Sequence, residues 1–355
     1  MIKIGIVGYG NLGKAVEREI AINKELQLVK IFSRRNIKTL QSPFGSKFEK
    51  LEKIADYSGK INLLFLCSGS FSDIEKIGLK AIKNFCTVDA FDTHSKLHKY
   101  KEKLDKIAKE NYKVGLTAFG WDPGILSQIR TVFAGLAGEH NVSTFWGEGV
   151  SQGHSDALRR IDGVENAIQF TIPNKKEIKK VLTQPNYRPT DENKHHRLCY
   201  VALKDFEEND NNLDKNSEKY AKNITKSGKN SIKNDGNRAI LLKKRYKIRK
   251  QIREMPNYFA GQKTTIHFVD SEKVKEMQKD MKHKGLVVSH FMLPNCHSAM
   301  LKFEIEMQSN PSLTARIMIV GGKIAMKFYE EEIFGGYSIL DIPPKYFLNK
   351  NDKLL

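Results

Sequence analysis

Hydrophobic and polar positions follow two different periods in the first part of the chain. Apolar runs occupy Ile2–Val7, which is rich in β-branched residues, Leu26–Phe32, and Ile61–Cys67, which is nearly continuous. Continuous runs of this length are typical of parallel strands that are covered on both faces. Residues 14–20 and 74–82 instead carry apolar side chains at helical spacing. Strands that alternate with helices predict an α/β fold built on a doubly wound parallel sheet.

The pattern changes after Gly124. Up to that residue, apolar runs at 87–92 and 113–117 supply further strands of the sheet. Beyond it, Leu301–Met307 alternates apolar with charged side chains, which is typical of a half-buried strand in an antiparallel sheet. We therefore expect a first domain at 1–124, a second, α+β domain at 125–320, and a C-terminal segment at 321–355 that packs back onto the first domain.

The first strand leads into a glycine-rich turn and then into a helix. Gly8, Gly10 and Gly13 have the spacing G-x-G-x-x-G in the order strand, turn, helix. The first glycine permits the tight turn, the second lets the main chain approach a pyrophosphate, and the third lets the helix pack close to the strand. A glycine turn without a ligand is the alternative. The complete context favours a dinucleotide site at a helix N-terminus in a Rossmann-type sheet.

The residues at the end of the second strand predict which dinucleotide binds. An NAD site usually has a carboxylate here for the ribose 2′-hydroxyl. This chain has Ser33, Arg34 and Arg35 instead. A hydroxyl and two guanidiniums suit a 2′-phosphate, which a carboxylate would repel. Two solvated arginines on a loop are the alternative, and the position favours NADP.

Loops at the carboxyl ends of the strands should face this cofactor, because ligands of doubly wound sheets bind there. The sequence places three such loops, at Cys67–Ser70, Ala90–Asp92 and Phe119–Gly124.

Bulk composition excludes several classes of protein. The chain of 355 residues is 40% hydrophobic, and it contains no apolar run near the roughly 20 residues that cross a bilayer. It starts directly with a strand and shows no leader pattern, so we expect a cytoplasmic protein with no membrane partner. The four cysteines have no short paired spacing, which argues against disulfides and a metal site.

The net charge of +19 raises the question of a nucleic-acid partner. Much of the excess lies between Val201 and Arg253, where 15 Lys and Arg face seven Asp and Glu among eight asparagines. Aromatic residues are sparse there, and no nucleic-acid motif accompanies the charge. We interpret about 204–240 as a solvated, partly disordered insertion. Binding of an anionic surface stays open as the alternative, and nucleic acid is not the expected partner.

With these pieces in place, the sequence resembles the meso-diaminopimelate dehydrogenases. The resemblance covers almost the whole chain apart from the basic insertion. The residues that carry it are GYGNLG at 8–13, FSRR at 32–35, FLCSGS at 65–70, GWDPG at 120–124, FWGEGVSQGHSDALRRIDGV at 145–164 and EMPNYFAG at 254–261.

The resemblance implies a reaction and an assembly. Members of this family catalyse the reversible NADP-dependent oxidative deamination of the D-centre of meso-2,6-diaminopimelate. The products are L-2-amino-6-oxopimelate and ammonia, and the reverse reaction is a step of diaminopimelate and lysine biosynthesis. The family uses no metal and forms homodimers, with a second domain that binds substrate and dimerises.

The resemblance also implies the site residues. Asp92 and Asp122 match positions that contact the reacting end of the substrate, and one of these carboxylates could serve as general base. The remaining substrate-binding positions are Trp121, Trp146, Gln152, Gly153, Thr171, Arg197, His283 and Asn310. His283 and Asn310 would by residue type alone be a surface histidine and a turn residue.

The predicted cofactor contacts combine the glycine turn, the arginine pair and the three loops. They are Gly8, Tyr9, Gly10, Asn11, Leu12, Gly13, Ser33, Arg34, Arg35, Cys67, Ser68, Gly69, Ser70, Ala90, Phe91, Asp92, Phe119, Gly120, Trp121, Asp122 and Pro123.

Two other functions stay open at this point. An NADP-dependent dehydrogenase of another amino or hydroxy acid would share the same first domain. A non-catalytic protein that senses NADP could also keep the fold, although the two intact aspartates argue against it.

Overall fold

A seven-stranded parallel sheet is the centre of one of the two units into which the chain divides. The computed structural model describes residues 1–69, 73–204 and 236–348. Unit 1 comprises Met1–Val132 and Ser309–Leu355, and unit 2 comprises Phe133–Gln308. The predicted site residue Ser70 and most of the basic stretch at 204–240 lie outside the described residues. The predicted domains at 1–124 and 125–320, with 321–355 returning to the first, stay a prediction.

The sheet of unit 1 confirms the predicted fold class. Its strand order is β3-β2-β1-β4-β5-β6-β14, and neighbouring strands run parallel. This is the doubly wound order, with β14 added at the β6 edge. The strands are β1 (Ile2–Val7), β2 (Leu26–Ser33), β3 (Phe48–Lys50), β4 (Leu63–Leu66), β5 (Cys86–Asp89), β6 (Val114–Thr117) and β14 (Gly335–Ser338).

Helices cover this sheet, because packing their apolar faces against the apolar strands removes both surfaces from water. The β4 and β5 strands are buried at every position. The covering helices are α1 (Asn11–Ala21), α2 (Ile74–Ala81), α3 (His94–Glu110) and α10 (Asn310–Glu330). Helix α4 (Ile125–Ala137) begins in unit 1 and continues into unit 2.

Unit 2 contains two smaller sheets. One has the order β11-β10-β9-β8, in which only the β10–β11 pair is parallel, and the other is the antiparallel β13-β12-β7. Its strands are β7 (Val142–Trp146), β8 (Gly149–Val150), β9 (Val164–Pro173), β10 (His195–Leu203), β11 (Lys263–Phe268), β12 (His283–Met292) and β13 (Ser298–Met307). Its helices are α5 (Gln152–Arg159), α6 (Lys175–Thr183), α7 (Asp191–Lys194), α8 (Gly236–Arg253) and α9 (Ser271–Met277).

In the part of the chain that the structure describes, no helix has the length and apolar character needed to cross a membrane.

Helix α10 lies close to the parallel sheet because two consecutive glycines face it. A Cβ atom on Gly322 would lie 2.6 Å from Cζ of Phe65 and 2.9 Å from Cδ2 of Leu63. A Cβ atom on Gly321 would lie 2.5 Å from Cδ1 of Phe119. The side chains of Leu63, Phe65 and Phe119 therefore occupy the space that side chains at these two positions of the helix would need.

Gly322→Ala should destabilise the protein by about 1–3 kcal/mol, because it overpacks this contact. The cost of overpacking should outweigh the roughly 1 kcal/mol by which alanine stabilises a helix interior relative to glycine. Urea unfolding followed by circular dichroism measures the change. The matched control is Gly135→Ala in α4, where no atom of the described residues lies within 4 Å of the added Cβ. The control should be neutral or stabilising, and equal effects of the two variants would contradict the close contact.

Candidate functional site

The glycine turn after β1 is held by main-chain contacts that exclude side chains. Gly8 has φ of +94°, and a Cβ atom there would lie 2.9 Å from the carbonyl oxygen of Cys67. A Cβ atom on Gly13 would lie 2.1 Å from the carbonyl oxygen of Gly8. Gly10 is the N-cap of α1, and no described atom lies within 4 Å of its added Cβ. This cradle fits a pyrophosphate at the helix N-terminus, next to Tyr9, Asn11 and Leu12.

The loop after β4 lies directly beside this turn. The Cys67 N–H donates to the Val7 carbonyl oxygen at 2.7 Å, and the added Cβ of Gly8 would lie 3.0 Å from the Ser68 nitrogen. Cys67, Ser68 and Gly69 are thus brought to the predicted cofactor turn. Burial raises the pKa of the Cys67 thiol well above its ordinary value, so this cysteine is a packing residue and not a thiolate nucleophile.

The arginine pair at the end of β2 is partly engaged within the protein. Arg34 forms a two-pronged ion pair with Asp73, with Nη1 to Oδ1 at 3.2 Å. Arg35 donates from Nη2 to the carbonyl oxygen of Tyr9, and its main-chain N–H donates to the Ser33 hydroxyl at 3.1 Å. Arg35 therefore joins the glycine turn to the end of β2. Ser33, Arg34 and Arg35 together form a donor set that fits a phosphate on the adenosine ribose.

Sequence reasoning missed a buried acid beneath this region. Glu17 in α1 is 1% exposed, and its carboxylate accepts from the Tyr9 hydroxyl and from the Ser42 hydroxyl, each at 2.5 Å. Burial, and then the bond to Glu17, raises the pKa of Tyr9 to about 12. Glu17 thereby fixes both the glycine turn and the segment that follows the arginine pair. Its helical position next to apolar residues was the available signal.

Asp122 is paired with a residue that the sequence did not single out. Its side chain is 1% exposed, and both carboxylate oxygens accept from the Arg130 guanidinium, with Nη1 to Oδ2 at 3.0 Å. Arg130 also donates to the Ser127 hydroxyl at 2.9 Å. His94 lies nearby, and its pKa is lowered by burial although Asp122 opposes the shift. Asp122 is therefore a positioned anion.

The other predicted residues of these loops differ in what they can offer a ligand. Asp92 is half-buried, whereas Phe91 is 1% exposed and Phe119 is not exposed at all. These two rings pack in the core, so only the main chains of Phe91 and Phe119 could line a cofactor site. Ala90 is half-buried, and Gly120 and Pro123 are buried.

The structure brings Asn310 to Trp121. The Trp121 indole N–H donates to the Asn310 side-chain oxygen at 3.2 Å, which also accepts from the Thr314 hydroxyl. Asn310 is the first residue of α10 and not merely a turn residue.

In unit 2, Arg197 is buried without a carboxylate partner among the described residues. Arg197 is 9% exposed, its Nη1 donates to the Thr171 hydroxyl at 2.7 Å, and its Nε has no described partner. Burial lowers the pKa of Arg197 to about 10, which leaves the guanidinium charged at neutral pH. The two residues face each other in the β9–β10 register. A buried cation of this kind could pair with an anionic group of a ligand.

Gln169, which sequence reasoning missed, completes the environment of Thr171. It is fully buried, and its side-chain N–H donates to the Thr171 hydroxyl at 3.2 Å. Because Thr171 already accepts from Arg197 and Gln169, its own proton is directed to a further acceptor. Gln169 lies two residues before Thr171 on the same face of β9, which was the available signal.

Two imidazoles near Arg197 are held neutral. The pKa of His154 and that of His195 are each lowered to about 3, by burial first and by the Arg197 charge second. His195 Nε2 accepts from the Trp146 main-chain N–H at 2.8 Å, and the two rings lie 5.0 Å apart. His195 therefore orients the predicted substrate-binding residue Trp146. Sequence reasoning had assigned no role to either histidine.

The remaining predicted residues of unit 2 lie around the same strands. Gln152 and Gly153 form the first turn of α5, and the Gln152 amide donates to the Met281 sulfur at 2.9 Å. His283 is 2% exposed, so it is a buried residue despite its neighbouring lysines. Its Nδ1 donates to the Lys284 carbonyl oxygen at 2.8 Å. A Cβ atom on Gly149, the register partner of Thr171, would lie 2.6 Å from Cδ2 of His283.

Comparison with known families and structures gives consistent matches. The model of the family described as the diaminopimelic acid dehydrogenase C-terminal domain matches residues 120–226 and 239–309. The meso-diaminopimelate D-dehydrogenase of Acetivibrio thermocellus is 35% identical over 355 residues, covering 99% of this chain and 95% of its own.

Solved structures give the same picture. The diaminopimelate dehydrogenase of C. glutamicum in complex with diaminopimelate is 30% identical with a TM-score of 0.82, covering 99% of this chain and 96% of its own. An engineered D-amino acid dehydrogenase bound to NADP⁺ is 28% identical with a TM-score of 0.82, covering 99% and 97%.

The neutral state of His195 predicts a loss of stability in acid. An imidazole in the unfolded chain has a pKa of about 6.5. Because the folded pKa is depressed to about 3, the stabilisation is complete above that unfolded value and is lost as the pH falls. At pH 5 the expected cost for this group is about 2 kcal/mol in the free energy of unfolding.

His195→Gln tests this, because glutamine can accept from the Trp146 N–H and does not titrate. Urea unfolding between pH 7 and pH 5 should show a shallower loss of stability in this variant than in the wild type. His98→Gln is the control, since the His98 side chain is 84% exposed and should leave the slope unchanged. Parallel pH dependence of all three proteins would refute a buried neutral His195.

Proposed function

Because the chain belongs to the diaminopimelate dehydrogenase family, we propose that it catalyses the NADP-dependent oxidative deamination of meso-2,6-diaminopimelate. The reaction acts on the D-centre and gives L-2-amino-6-oxopimelate and ammonia. The reverse reaction would supply meso-diaminopimelate for lysine and cell-wall synthesis in the cytoplasm.

The observation that carries this proposal is the buried guanidinium of Arg197. A substrate with a carboxylate at its non-reacting end would pair with Arg197 and accept a hydrogen bond from Thr171, whose hydroxyl oxygen already accepts twice. A hydroxy acid or amino acid with a single carboxylate at its reacting centre would leave this cation buried and unpaired, which costs several kcal/mol. A second carboxylate is therefore part of the proposed substrate.

At the reacting centre, the two aspartates would have different roles. Both oxygens of Asp122 accept from Arg130, so we assign Asp122 to electrostatic attraction of the substrate ammonium. Asp92 is half-buried and is our candidate for the group that accepts a proton when water adds to the imine carbon. Trp121, held by Asn310, and Trp146, held by His195, would exclude bulk water from the reaction.

The cofactor assignment rests on the glycine cradle and on the donors at the end of β2. Gly8, Gly10 and Gly13 would hold the pyrophosphate, and Ser33, Arg34 and Arg35 the 2′-phosphate. The nicotinamide, when bound, supplies the hydride acceptor, and the protein contributes its orientation.

We further propose a homodimer, supported by apolar surface on α4 and on β13. Of the residues of α4 only Leu126 is buried, whereas Val132 and Leu136 are 58% and 65% exposed. The apolar row Leu301, Phe303 and Ile305 of β13 is only half-buried. Exposed apolar faces of this kind are typical of subunit interfaces.

The proposed reaction is tested by one set of absorbance assays for NADPH formation. We expect turnover of meso-diaminopimelate with NADP, and much weaker turnover with NAD, with the L,L and D,D isomers, and with D-amino acids that lack a second carboxylate. Arg197→Ala should lower kcat/KM for meso-diaminopimelate by about 100-fold or more, since it removes a buried charge-assisted contact. NADPH affinity, followed by nucleotide fluorescence, should stay within about twofold, because the change lies outside the proposed cofactor contacts.

Arg188→Ala is the control for this variant, since Arg188 is exposed and makes only a 3.5 Å contact with Asn141. It should behave as the wild type. Equal turnover of D-amino acids with one carboxylate would favour the broader D-amino acid dehydrogenase function. Absence of turnover with any of these substrates, in a protein that still binds NADPH, would favour a nucleotide-sensing role.

The dimer is tested by sedimentation velocity at micromolar concentration. The wild type should sediment at twice the 40.5 kDa chain mass, and Leu136→Asp should shift it to the monomer. Ile22→Asp is the matched control, because Ile22 is 71% exposed on unit 1 and should not change the mass. A wild-type protein that is monomeric throughout would exclude this assembly.

A further inference from the structure

Asp89 is a buried carboxylate that has no part in the function proposed above. It is the last residue of β5 and is not exposed to solvent. One oxygen accepts from the Thr117 hydroxyl at 2.7 Å and from the Phe91 main-chain N–H at 3.0 Å. The other accepts from the Tyr100 hydroxyl at 2.8 Å. The Ala118 main-chain N–H donates to the carboxylate as well.

These donors come from the ends of two neighbouring strands and from the helix that covers them. Phe91 lies in the loop after β5, which continues to Asp92. Thr117 ends β6 and Ala118 follows it, and the chain continues from there to Asp122. The Asp89 carbonyl oxygen also accepts from the Phe119 N–H at 2.9 Å. A single residue thus fastens the first positions of both loops.

One of these positions is in an unfavourable conformation. Ala118 has φ of +59°, in the left-handed region that costs a residue with a Cβ atom about 1 kcal/mol or more. The hydrogen bonds of the Ala118 and Phe119 N–H groups to Asp89 hold the chain in this turn. Without these hydrogen bonds, the cost of the left-handed conformation at Ala118 would favour a rearrangement of the loop that leads to Trp121 and Asp122.

Burying the Asp89 carboxylate to accept these hydrogen bonds costs free energy of desolvation. Burial raises the pKa of Asp89 to about 6, although all of its bonds oppose that shift, and no cation pairs with it among the described residues. A group that only filled space at this position would be more stable if it were apolar. The several convergent donors therefore indicate a requirement for an acceptor that can serve both loops.

We propose that Asp89 is a positioning residue that sets the loops carrying Asp92 and Asp122. The inference rests on the proposed function, because it is through these two aspartates that Asp89 acts on the reaction. Because Asp89 is not exposed to solvent and its described hydrogen bonds are with the protein, we assign it no direct contact with substrate or cofactor. Loss of its acceptors displaces both loops while leaving the glycine cradle and the Arg197 region unchanged.

The test compares Asp89→Asn with Tyr100→Phe and Thr117→Val. The asparagine keeps one acceptor oxygen and the shape of the side chain, and the other two variants each remove one donor. We expect Asp89→Asn to lower kcat for meso-diaminopimelate between about tenfold and 100-fold, because small displacements of reacting groups have effects of this size. The KM for the substrate and the affinity for NADPH should change by less than about threefold. The donor variants should lower kcat by smaller factors in the same direction.

A second measurement reports the loop itself and needs no turnover. In a Trp146→Phe background, Trp121 is the remaining tryptophan, and it is 8% exposed. Asp89→Asn in this background should at least double the acrylamide quenching constant of Trp121. The control in both measurements is Asp105→Asn, because Asp105 also accepts a main-chain hydrogen bond, from Gly336 at 2.9 Å, away from these loops. The control should leave kcat and quenching unchanged.

The outcomes separate the two proposals. A wild-type protein without activity on meso-diaminopimelate would refute the proposed function, and Trp121 quenching would still decide whether Asp89 positions the loop. In an active protein, an unchanged kcat and unchanged quenching in Asp89→Asn would overturn the positioning role. So would a parallel fall of kcat, substrate affinity, NADPH affinity and stability, with no effect of Tyr100→Phe or Thr117→Val, since that pattern describes a purely structural residue.

Discussion

A guanidinium that is buried with no carboxylate partner among the described residues, that of Arg197, is the constraint on which unit 2 depends. Taking an unpaired ion out of water costs several kcal/mol, and the protein offsets only part of this with the Thr171 hydroxyl. The neighbouring histidines stay neutral, so they add no second positive charge to the same volume. The strands β9 and β10 hold this arrangement in register. A ligand carboxylate would meet an Arg197 guanidinium that is already held in position. It would not have to displace a carboxylate of the described residues.

In unit 1, by contrast, the charged side chains near the proposed site have partners within the protein. Asp122 is paired with Arg130, Arg34 with Asp73, and Asp89 with a set of neutral donors. These pairs and networks position loops, whereas Arg197 has no carboxylate partner among the described residues. The difference between a charge that is paired within the protein and a charge without a described counter-charge cannot be seen in composition, where all of them count equally.

The fold class and the family could be predicted from the sequence because both depend on local pattern. Apolar runs, helical spacing and glycine positions determine the parallel sheet and the cradle at Gly8, and the long matching segments identify the family. The partners of the site residues could not be predicted, since they are far apart in the chain. Asn310 reaches Trp121 across 189 positions. Residue type alone places His283 at the surface because of its flanking lysines, whereas the first residues of β12 alternate between buried and exposed and bury its ring. Gln169, Glu17 and Asp89 were missed because a polar residue within an apolar pattern has no distinctive neighbour in the sequence.

The ion pair between Arg34 and Asp73 would affect how strongly Arg34 can favour a phosphorylated coenzyme. A dianion that arrives at Arg34 meets a guanidinium that already has a carboxylate, so it must replace one partnership with another. Discrimination by Arg34 would then be the difference between two pairings, and it would be smaller than the full attraction of an arginine for a phosphate. Asp73, at the start of α2, would act as an internal competitor that shortens the residence time of the coenzyme. Such a competitor would let an enzyme distinguish the phosphorylated nucleotide and still release it at the end of each cycle.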